Sequence, residues 1–362
     1  MKKILHIFSH LNNAGTEKVI FNICNNIKNN DIKFNILVFE NGNYEDAFNK
    51  IGVNIFKILE KDKRKRKKEL LNFLKMNKYD IVHVHMSEFM YEAVRMAKKA
   101  KINRIILHSH NARQDLPKFA IWYKIYREIF FIDRYVTDYF SCSVEAAKWL
   151  FPLKYKKTKI INNGINMDTF KFRDDIRRKV REKLGLSSND FMVISVGRLV
   201  EQKNMEKIID IAKNQENPHI KFFIVGDGDK REQIQTKINT LDLNDKVFLL
   251  GNQENVNELL FAADVFLLTS KYEGLGIVLI EAQTSGLYVI SSNKVPNETN
   301  MGLGLFSKVN LEEDNVVWNN EILKGLEYSY NCNREDAYEL AIKSKYNAAN
   351  SFKELENIYC EM

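Results

Sequence analysis

"DVFLLTSKYEGLGIVLIEAQTSGLYVISS" occupies residues 264–292. DVFLLTS (264–270) and LYVISS (287–292) are short apolar runs bounded by turn residues, the pattern of buried strands. KYEGLG forms the loop after the first strand, and IVLIEAQTS reads as a helix stopped by Gly286. A strand, a helix and a second strand in this order make a right-handed crossover and hence a parallel sheet. Glu281 is the anomaly, a carboxylate inside an otherwise apolar helix, where it needs polar partners.

The same alternation extends in both directions. Before it, strands at 191–199, 220–228 and 246–251 are separated by helices at 205–214, 230–238 and 256–263, with a further helix at 174–185 ending at Gly185. In the first half, strands at 4–8, 34–39, 80–86 and 104–110 interleave with helices at 17–27, 68–76 and 92–100. The pattern restarts after Lys171, and the turn residues of NNGINMDTFKF (162–172) mark the boundary. The fold class is therefore α/β, with two Rossmann-like α/β/α domains. A ligand cleft is expected between them, because open parallel sheets bind beyond their carboxyl edges.

Composition narrows the possibilities. The chain has 362 residues, which suits two domains. It is 45% hydrophobic and 28% charged, which excludes a disordered chain. Cys24, Cys142, Cys332 and Cys360 are scattered without a C-x-x-C. That argues against a zinc knuckle or a disulfide framework and points to a reducing cytoplasm. MKKILHIFSH begins with basic residues, but its apolar stretch is short and contains His6, so it reads as a first strand and not as a signal peptide. No window reaches the roughly 20 apolar residues of a membrane span. The formal charge of +8 fits anionic partners without choosing among them. No aromatic-basic motif for nucleic acid is present, so no nucleic-acid partner is expected.

Several strand ends carry candidate chemistry. Gly274 and Gly276 permit close backbone approach at the start of the 277–284 helix, where unpaired N–H groups favour an anion or a hydroxyl-rich ligand. Glu281 suits a ribose diol or, equally, a structural partner. In GRLVEQKN (197–204), Arg198 and Lys203 flank a strand end, an arrangement that suits a diphosphate but is also common as surface charge. GTEK (15–18) places Gly15 at a strand-to-helix turn. VGDGDK (225–230) is a similar turn and lacks the full dinucleotide and Walker patterns. HSH (108–110) closes a strand, where a histidine can donate to a sugar hydroxyl or act as acid or base. His83 and His85 alternate on one strand face, but no carboxylate or cysteine stands at metal-ligand spacing, so no metal is expected. KDKRKRKK (61–68) reads either as a solvated loop leading into the helix from Lys68 or as an anion-binding surface.

Taken together, G-R-L-x-x-x-K-N, V-G-D-G, the D-V-F-L-L-x-S strand and E-G-x-G-x-x-x-x-E-A resemble the retaining GT-B glycosyltransferases of family 4. D-I-V-H-V-H, HSHN (108–111), FSCSVEAAKWLF (140–151) and NNGINMDTF (162–170) resemble the subgroup that builds bacterial exopolysaccharide and capsule. The resemblance covers nearly the whole chain, and its most specific element is the spacing of Glu273 and Glu281. It implies a first, acceptor domain over 1–165, completed by a C-terminal helix over 346–362. It also implies a second, donor domain over 166–345, facing the first across a cleft.

Residue by residue, Glu281 resembles the glutamate that holds the nucleotide ribose, and Glu273 the one near the donor sugar. Gly274, Leu275 and Gly276 would supply backbone contacts to sugar and phosphate. Arg198 and Lys203 resemble the diphosphate clamp, and His110 the histidine near the reacting carbon. Gly15 resembles the loop near the diphosphate, and Asn252 falls in the loop near the base. Ala14 departs from the family's usual glycine pair, and Tyr288 stands where proline is frequent.

The implied activity is transfer of a sugar, with retention, from a nucleoside diphosphate sugar, a UDP-sugar for preference. The acceptor would be a glycan or polyprenyl-linked glycan, and neither a cofactor nor an essential metal is expected. The rivals are a nucleotide-sugar 2-epimerase of the same architecture and a catalytically silent carbohydrate-binding subunit. A peripheral contact with the anionic inner face of a membrane is expected through 61–68 and the aromatic-basic stretch 117–135.

Overall fold

The computed structural model describes every residue except 13, 14, 28, 86, 87, 113–121, 123, 124, 127, 332 and 362, and only the backbone of Glu128 and Phe131. The chain divides into two compact units, Met1–Ile165 with Ala348–Met362, and Asn166–Asn347.

The first unit is built on seven strands: β1 (Lys2–Phe8), β2 (Ile32–Val38), β3 (Asn54–Lys57), β4 (Ile81–His85), β5 (Arg104–Ser109), β6 (Asp138–Ser141) and β7 (Lys159–Ile160). They lie in the order β3-β2-β1-β4-β5-β6-β7, and every pairing is parallel. The second unit has β8 (Phe191–Val196), β9 (Ile220–Val225), β10 (Val247–Gly251), β11 (Val265–Leu268), β12 (Tyr288–Ser292) and β13 (Phe306–Val309). Their order is β10-β9-β8-β11-β12-β13, again all parallel. In each sheet the chain winds outward in one direction and then returns to the other side of its first strand. The order therefore reverses between β1 and β4, and between β8 and β11. Crevices at such reversals, at the carboxyl ends of the strands, are where open α/β sheets take ligands.

Strands β3, β6, β7 and β13 were not evident in the sequence. They are two to four residues long, and β3 (NIFK) has no fully buried position. Too little apolar alternation is available there to stand out, and three of them, β3, β7 and β13, lie at sheet edges, which are commonly short in this way.

The basic run also differs from the sequence reading. Helix formation begins at Lys63 and not at Lys68, and the helix runs Lys63–Asn77. The Asp62 carboxylate caps it, accepting from the backbone N–H of Arg64 (3.0 Å) and Lys65 (2.8 Å). Lysine and arginine are good helix formers, so the run continues the helix once the cap is in place. Arg66 is not part of the solvated surface. It forms an ion pair with Glu92 at 3.0 Å and lies over the Phe89 ring.

The two faces of the first sheet are chemically different. Leu5, Ile7, Val82, Val84, Ile105 and Leu107 pack against Leu70, Leu74, Ala93, Val94 and Ala97 in an apolar core. The opposite face is covered in part by the helix Ala348–Cys360, whose Phe352, Leu355, Ile358 and Tyr359 are buried. Gly164 lets that helix approach, because a Cβ at this position would lie 2.8 Å from the Ala348 Cα.

In the second unit the glycines of VGDGDK prove to be packing residues. A Cβ on Gly226 would sit 2.0 Å from the Gly197 carbonyl oxygen, and one on Gly228 would sit 2.5 Å from that of Leu199. The Leu199 N–H donates to Asp227 O at 2.9 Å, and the Gly226 N–H to Gly251 O at 2.8 Å. The carboxyl ends of β8, β9 and β10 are thus laced together, and the turn that carries Arg198 is held from behind.

Gly226→Ala is expected to destabilise the second unit by about 3 kcal/mol or more, since φ is +130° and the backbone contact cannot relax. Chemical denaturation of the variant checks this, and a midpoint equal to wild type would show that the lacing does not hold the turn.

Candidate active site

The reversal between β8 and β11 gathers the charged candidates of the second unit. Arg198 follows β8 after Gly197, is exposed, and makes no ion pair among the described residues. Lys203 ends the short 3-10 turn Glu201–Lys203, and Asn204, in the left-handed region at φ +50°, redirects the chain into the helix Met205–Lys213. Gly197 leaves room for the lysine stem, since a Cβ there would touch Lys203 Cδ and Cε at 3.3 Å. From the carboxyl end of β11 comes Glu273, only 5% exposed.

Lys203 Nζ and Glu273 Oε1 are 2.6 Å apart. The loop is strapped alongside by Gln202, whose Nε2 donates to Tyr272 O at 2.9 Å and reaches Glu273 Oε2 at 3.5 Å. Asn204 and Thr269 exchange two further hydrogen bonds. An ion pair removed from water in this way resists loss of either partner, because the remaining charge would be left buried and uncompensated. Gln202 drew no attention in the sequence, and nothing in its neighbours signals the strap.

A second set of charges surrounds this pair. Glu201 pairs with both Lys230 and Lys271, and these two ammonium groups hold its carboxyl down at about 2. Lys230 also meets Glu206 at 3.2 Å. These cations are therefore already engaged, which leaves Arg198, among the described residues, as the exposed cation without an ion pair at the end of β8.

Gly274 and Leu275 are buried, and Gly276 takes φ +82° immediately before the helix Ile277–Thr284. Glu281 is half-buried in the second turn of that helix. Asn252 is exposed just after β10. In the first unit Gly15 is the exposed first residue of the helix Gly15–Asn26, while Ala14 lies outside the described residues.

His110 stands at the carboxyl edge of the first sheet, just past β5. It belongs to a layer of five imidazoles that the sequence did not reveal as a group. His6 is paired in register with His83, and His85 with His108. His83 and His85, like His108 and His110, are two residues apart and so share a face. His6 Nδ1 lies 2.9 Å from His85 Nε2, and His85 Nδ1 lies 2.8 Å from His110 Nε2. A separate chain joins Tyr359 Oη to His83 Nδ1 at 2.7 Å and His83 Nε2 to His108 Nδ1 at 3.1 Å.

Two triples of these rings, His6–His83–His85 and His85–His108–His110, have candidate ligand nitrogens within 4.8 Å of one another, with no carboxylate or cysteine in either. Burial holds all five rings neutral, and the neighbouring histidines add to the effect for all but His110. His6 and His110 are each lowered to about 3, and His83, His85 and His108 well below their ordinary value. The H-x-H spacing at 83/85 and 108/110 was a visible signal. The strand register that unites the pairs was not.

Two Rossmann-like units with all-parallel sheets are the GT-B fold. HepE of Anabaena, solved in complex with UDP-glucose, matches it with a TM-score of 0.83 over 100% of both chains at 16% identity. Residues 176–301 match the family model described as glycosyl transferases group 1, and this span contains all the second-unit site residues named above. Over 373 residues the chain is 26% identical to EpsF of Bacillus subtilis (strain 168), named as a glycosyltransferase, covering 99% of this chain and 96% of that one. Over 239 residues it is 30% identical to an Escherichia coli protein, covering 62% of this chain and 60% of that one. That protein is named UDP-Gal:alpha-D-GlcNAc-diphosphoundecaprenol alpha-1,3-galactosyltransferase.

The neutral histidine layer has a consequence for stability. In the unfolded chain each imidazole takes a proton near pH 6.5, whereas in the folded unit it stays neutral to far lower pH. The contribution to stability is complete above about pH 6.5 and is lost as pH falls, at up to ~1.4 kcal/mol per pH unit for each ring. With five such rings in one layer, the stability of the first unit should fall steeply once the pH drops below about 6.5. Denaturation of the first unit should therefore shift sharply between pH 7.5 and 5.5, and a midpoint independent of pH would contradict a neutral layer.

Proposed function

We propose that the protein is a retaining glycosyltransferase of cell-surface polysaccharide biosynthesis, transferring a sugar from a UDP-sugar to a polyprenyl-linked or other glycan acceptor. The observation that carries this reading is the cation arrangement at the β8/β11 reversal, where exposed Arg198 leaves the end of β8 and the largely buried Lys203–Glu273 pair joins the turn after β8 to the loop after β11. An ammonium has three donors. With one engaged by Glu273, Lys203 keeps two for a diphosphate, and Arg198 adds a bidentate fork. Both would stabilise the charge that develops on the leaving diphosphate, without a metal.

Glu273 orients Lys203 and borders the donor sugar. The N–H groups around Gly276 face charge at a helix start, and Glu281 takes the ribose hydroxyls. Asn252 meets the base, and Gly15 and His110 act on donor groups from the first unit. The departing phosphate oxygen takes the acceptor proton. The names of the relatives support the substrate classes, since HepE is solved with UDP-glucose and the E. coli protein is named for UDP-Gal and a diphosphoundecaprenol-linked acceptor.

Arg198→Ala is the cleanest test, because the side chain is exposed and supports no described ion pair. Its kcat/KM should fall on the order of 10²-fold with thermal stability unchanged. Lys203→Ala should lose as much activity, and stability as well. Glu281→Gln should weaken binding of UDP, and chelation should leave turnover intact. Among UDP-, GDP- and ADP-sugars, the UDP donors should stabilise the protein, and nucleotide release should depend on added acceptor. Full activity in Arg198→Ala, metal-dependent rescue, or sugar epimerisation without an acceptor would each contradict the reading.

We further propose that the first unit docks on an anionic membrane surface. No helix among the described residues is long and apolar enough to cross a membrane. Lys63, Arg64, Lys65 and Lys68 are exposed, as are Trp122, Tyr126, Ile129 and Phe130. The helix Lys63–Asn77 and the π-helical segment Glu128–Ile132 both contact the helix Met90–Lys99, so cations and aromatics flank one element. Lys118, Phe119, Tyr123, Lys124 and Arg127 of the same stretch lie outside the described residues. Sedimentation with vesicles should rise with anionic lipid and fall with salt, each cation contributing about 1 kcal/mol. Replacing Lys63, Arg64, Lys65 and Lys68 with Gln should abolish it, and equal binding to neutral vesicles would contradict the docking.

A further inference from the structure

The chain His6–His85–His110 ends in two buried ring nitrogens, His6 Nε2 and His110 Nδ1, that have no partner among the described residues. A neutral imidazole has one N–H and one lone pair. His85 sits in the middle with both nitrogens engaged, so it must donate with one and accept with the other. The three rings therefore share a single polarity, with only two states. In one, His110 Nδ1 carries the outer N–H and His6 Nε2 is a lone pair. In the other, every proton is moved across its ring, and His110 Nδ1 is the lone pair.

The surroundings separate these states. An unpaired N–H in the interior is a worse orphan than an unpaired acceptor. His6 is wholly buried in the first strand of the sheet, between Phe34 and His83. His110 lies past the end of β5, and although its ring is half-buried its Nδ1 is shielded from solvent like His6 Nε2, so what distinguishes the two ends is their place in the sheet. Either state leaves one buried N–H unpaired, but only the state with the lone pair at His6 puts that N–H at the sheet's carboxyl edge, where a ligand oxygen can pair with it. Rings stacked on their neighbours cannot readily reverse this by turning over. His85 lies against Phe8, with centroids 4.3 Å apart and planes at 14°, and His6 is stacked on His85.

We infer that His6 and His85 are positioning residues whose hydrogen-bonded chain fixes His110 as a one-way donor, presenting its Nδ1–H to a ligand oxygen at the edge of the first sheet. This rests on the proposed function for the identity of that ligand, a sugar hydroxyl or phosphate oxygen of the donor, but not for the tautomers themselves. Burial keeps the three rings neutral, so the donor is an imidazole N–H and not an imidazolium. The assignment sets His110 apart from a general base, which would need the lone pair outward.

Long-range ¹H–¹⁵N correlation spectra of histidine-labelled protein at pH 7.5 read the tautomer of each ring directly. All three rings should be in the Nδ1–H form. His85→Phe keeps an aromatic ring over Phe8 but removes the acceptor relationship. His110 should then become a mixture of tautomers, and kcat/KM should fall on the order of 10-fold, the loss of about one hydrogen bond. His6→Phe, which does not touch His110, should loosen the His110 tautomer through His85. Wild-type His110 in the Nε2–H form, or a His110 spectrum unchanged in both variants, would overturn the relay. These readouts need no turnover, so inactivity with every sugar nucleotide would contradict the proposed function and leave the relay standing.

Discussion

A parallel strand cannot be entered by a hairpin. Each connection must cross over the sheet and return, and this single requirement shapes both units. It places the chain's turns at the two edges of each sheet, and the turns that leave the carboxyl ends are the ones that bring new side chains together. Arg198 leaves β8 and Glu273 leaves β11, 75 residues apart in sequence (273 − 198 = 75), yet the strands are neighbours because the winding order reverses there. The Lys203–Glu273 contact is a direct product of that reversal.

Both units bury polar groups near these edges, and each uses a different solution. The second unit keeps full charges and pairs them at 2.6 Å, with Gln202 as a strap. On one face of the first sheet five histidines are instead held neutral and bond to one another and to Tyr359. A charge pair holds its geometry through attraction but leaves a large penalty if broken. A neutral chain is less attractive but carries direction, because each ring must pass on the polarity it receives. The first arrangement suits an anion-binding edge, and the second suits a defined donor.

The helix Ala348–Cys360 connects these features to chain topology. It comes from the far end of the sequence, seats against Gly164, and supplies the Tyr359 hydroxyl that closes one histidine chain. A glycine that resembles an ordinary turn residue in NNGIN is in fact the point at which the last helix can approach. Gly226 and Gly228 behave alike in the other unit, where the absence of a Cβ allows two turns to come into backbone contact.

The α/β class, the parallel sheets and most strands and helices were legible in the sequence because they are local patterns: apolar runs of strand length, helical spacing and turn residues between them. Strands β3, β6, β7 and β13 were too short to show, and the start of the helix at Lys63 depended on one capping carboxylate. Among the site residues, Arg198, Lys203, Glu273 and His110 stood out by type and by position at strand ends. What the sequence could not determine was which of them touch. The Lys203–Glu273 pair depends on strand order, and the histidine layer depends on the register of β1, β4 and β5. Order and register are settled by long-range packing, in which a shift of one residue would turn His6, His83 and His108 to the opposite face, so only the tertiary structure decided them.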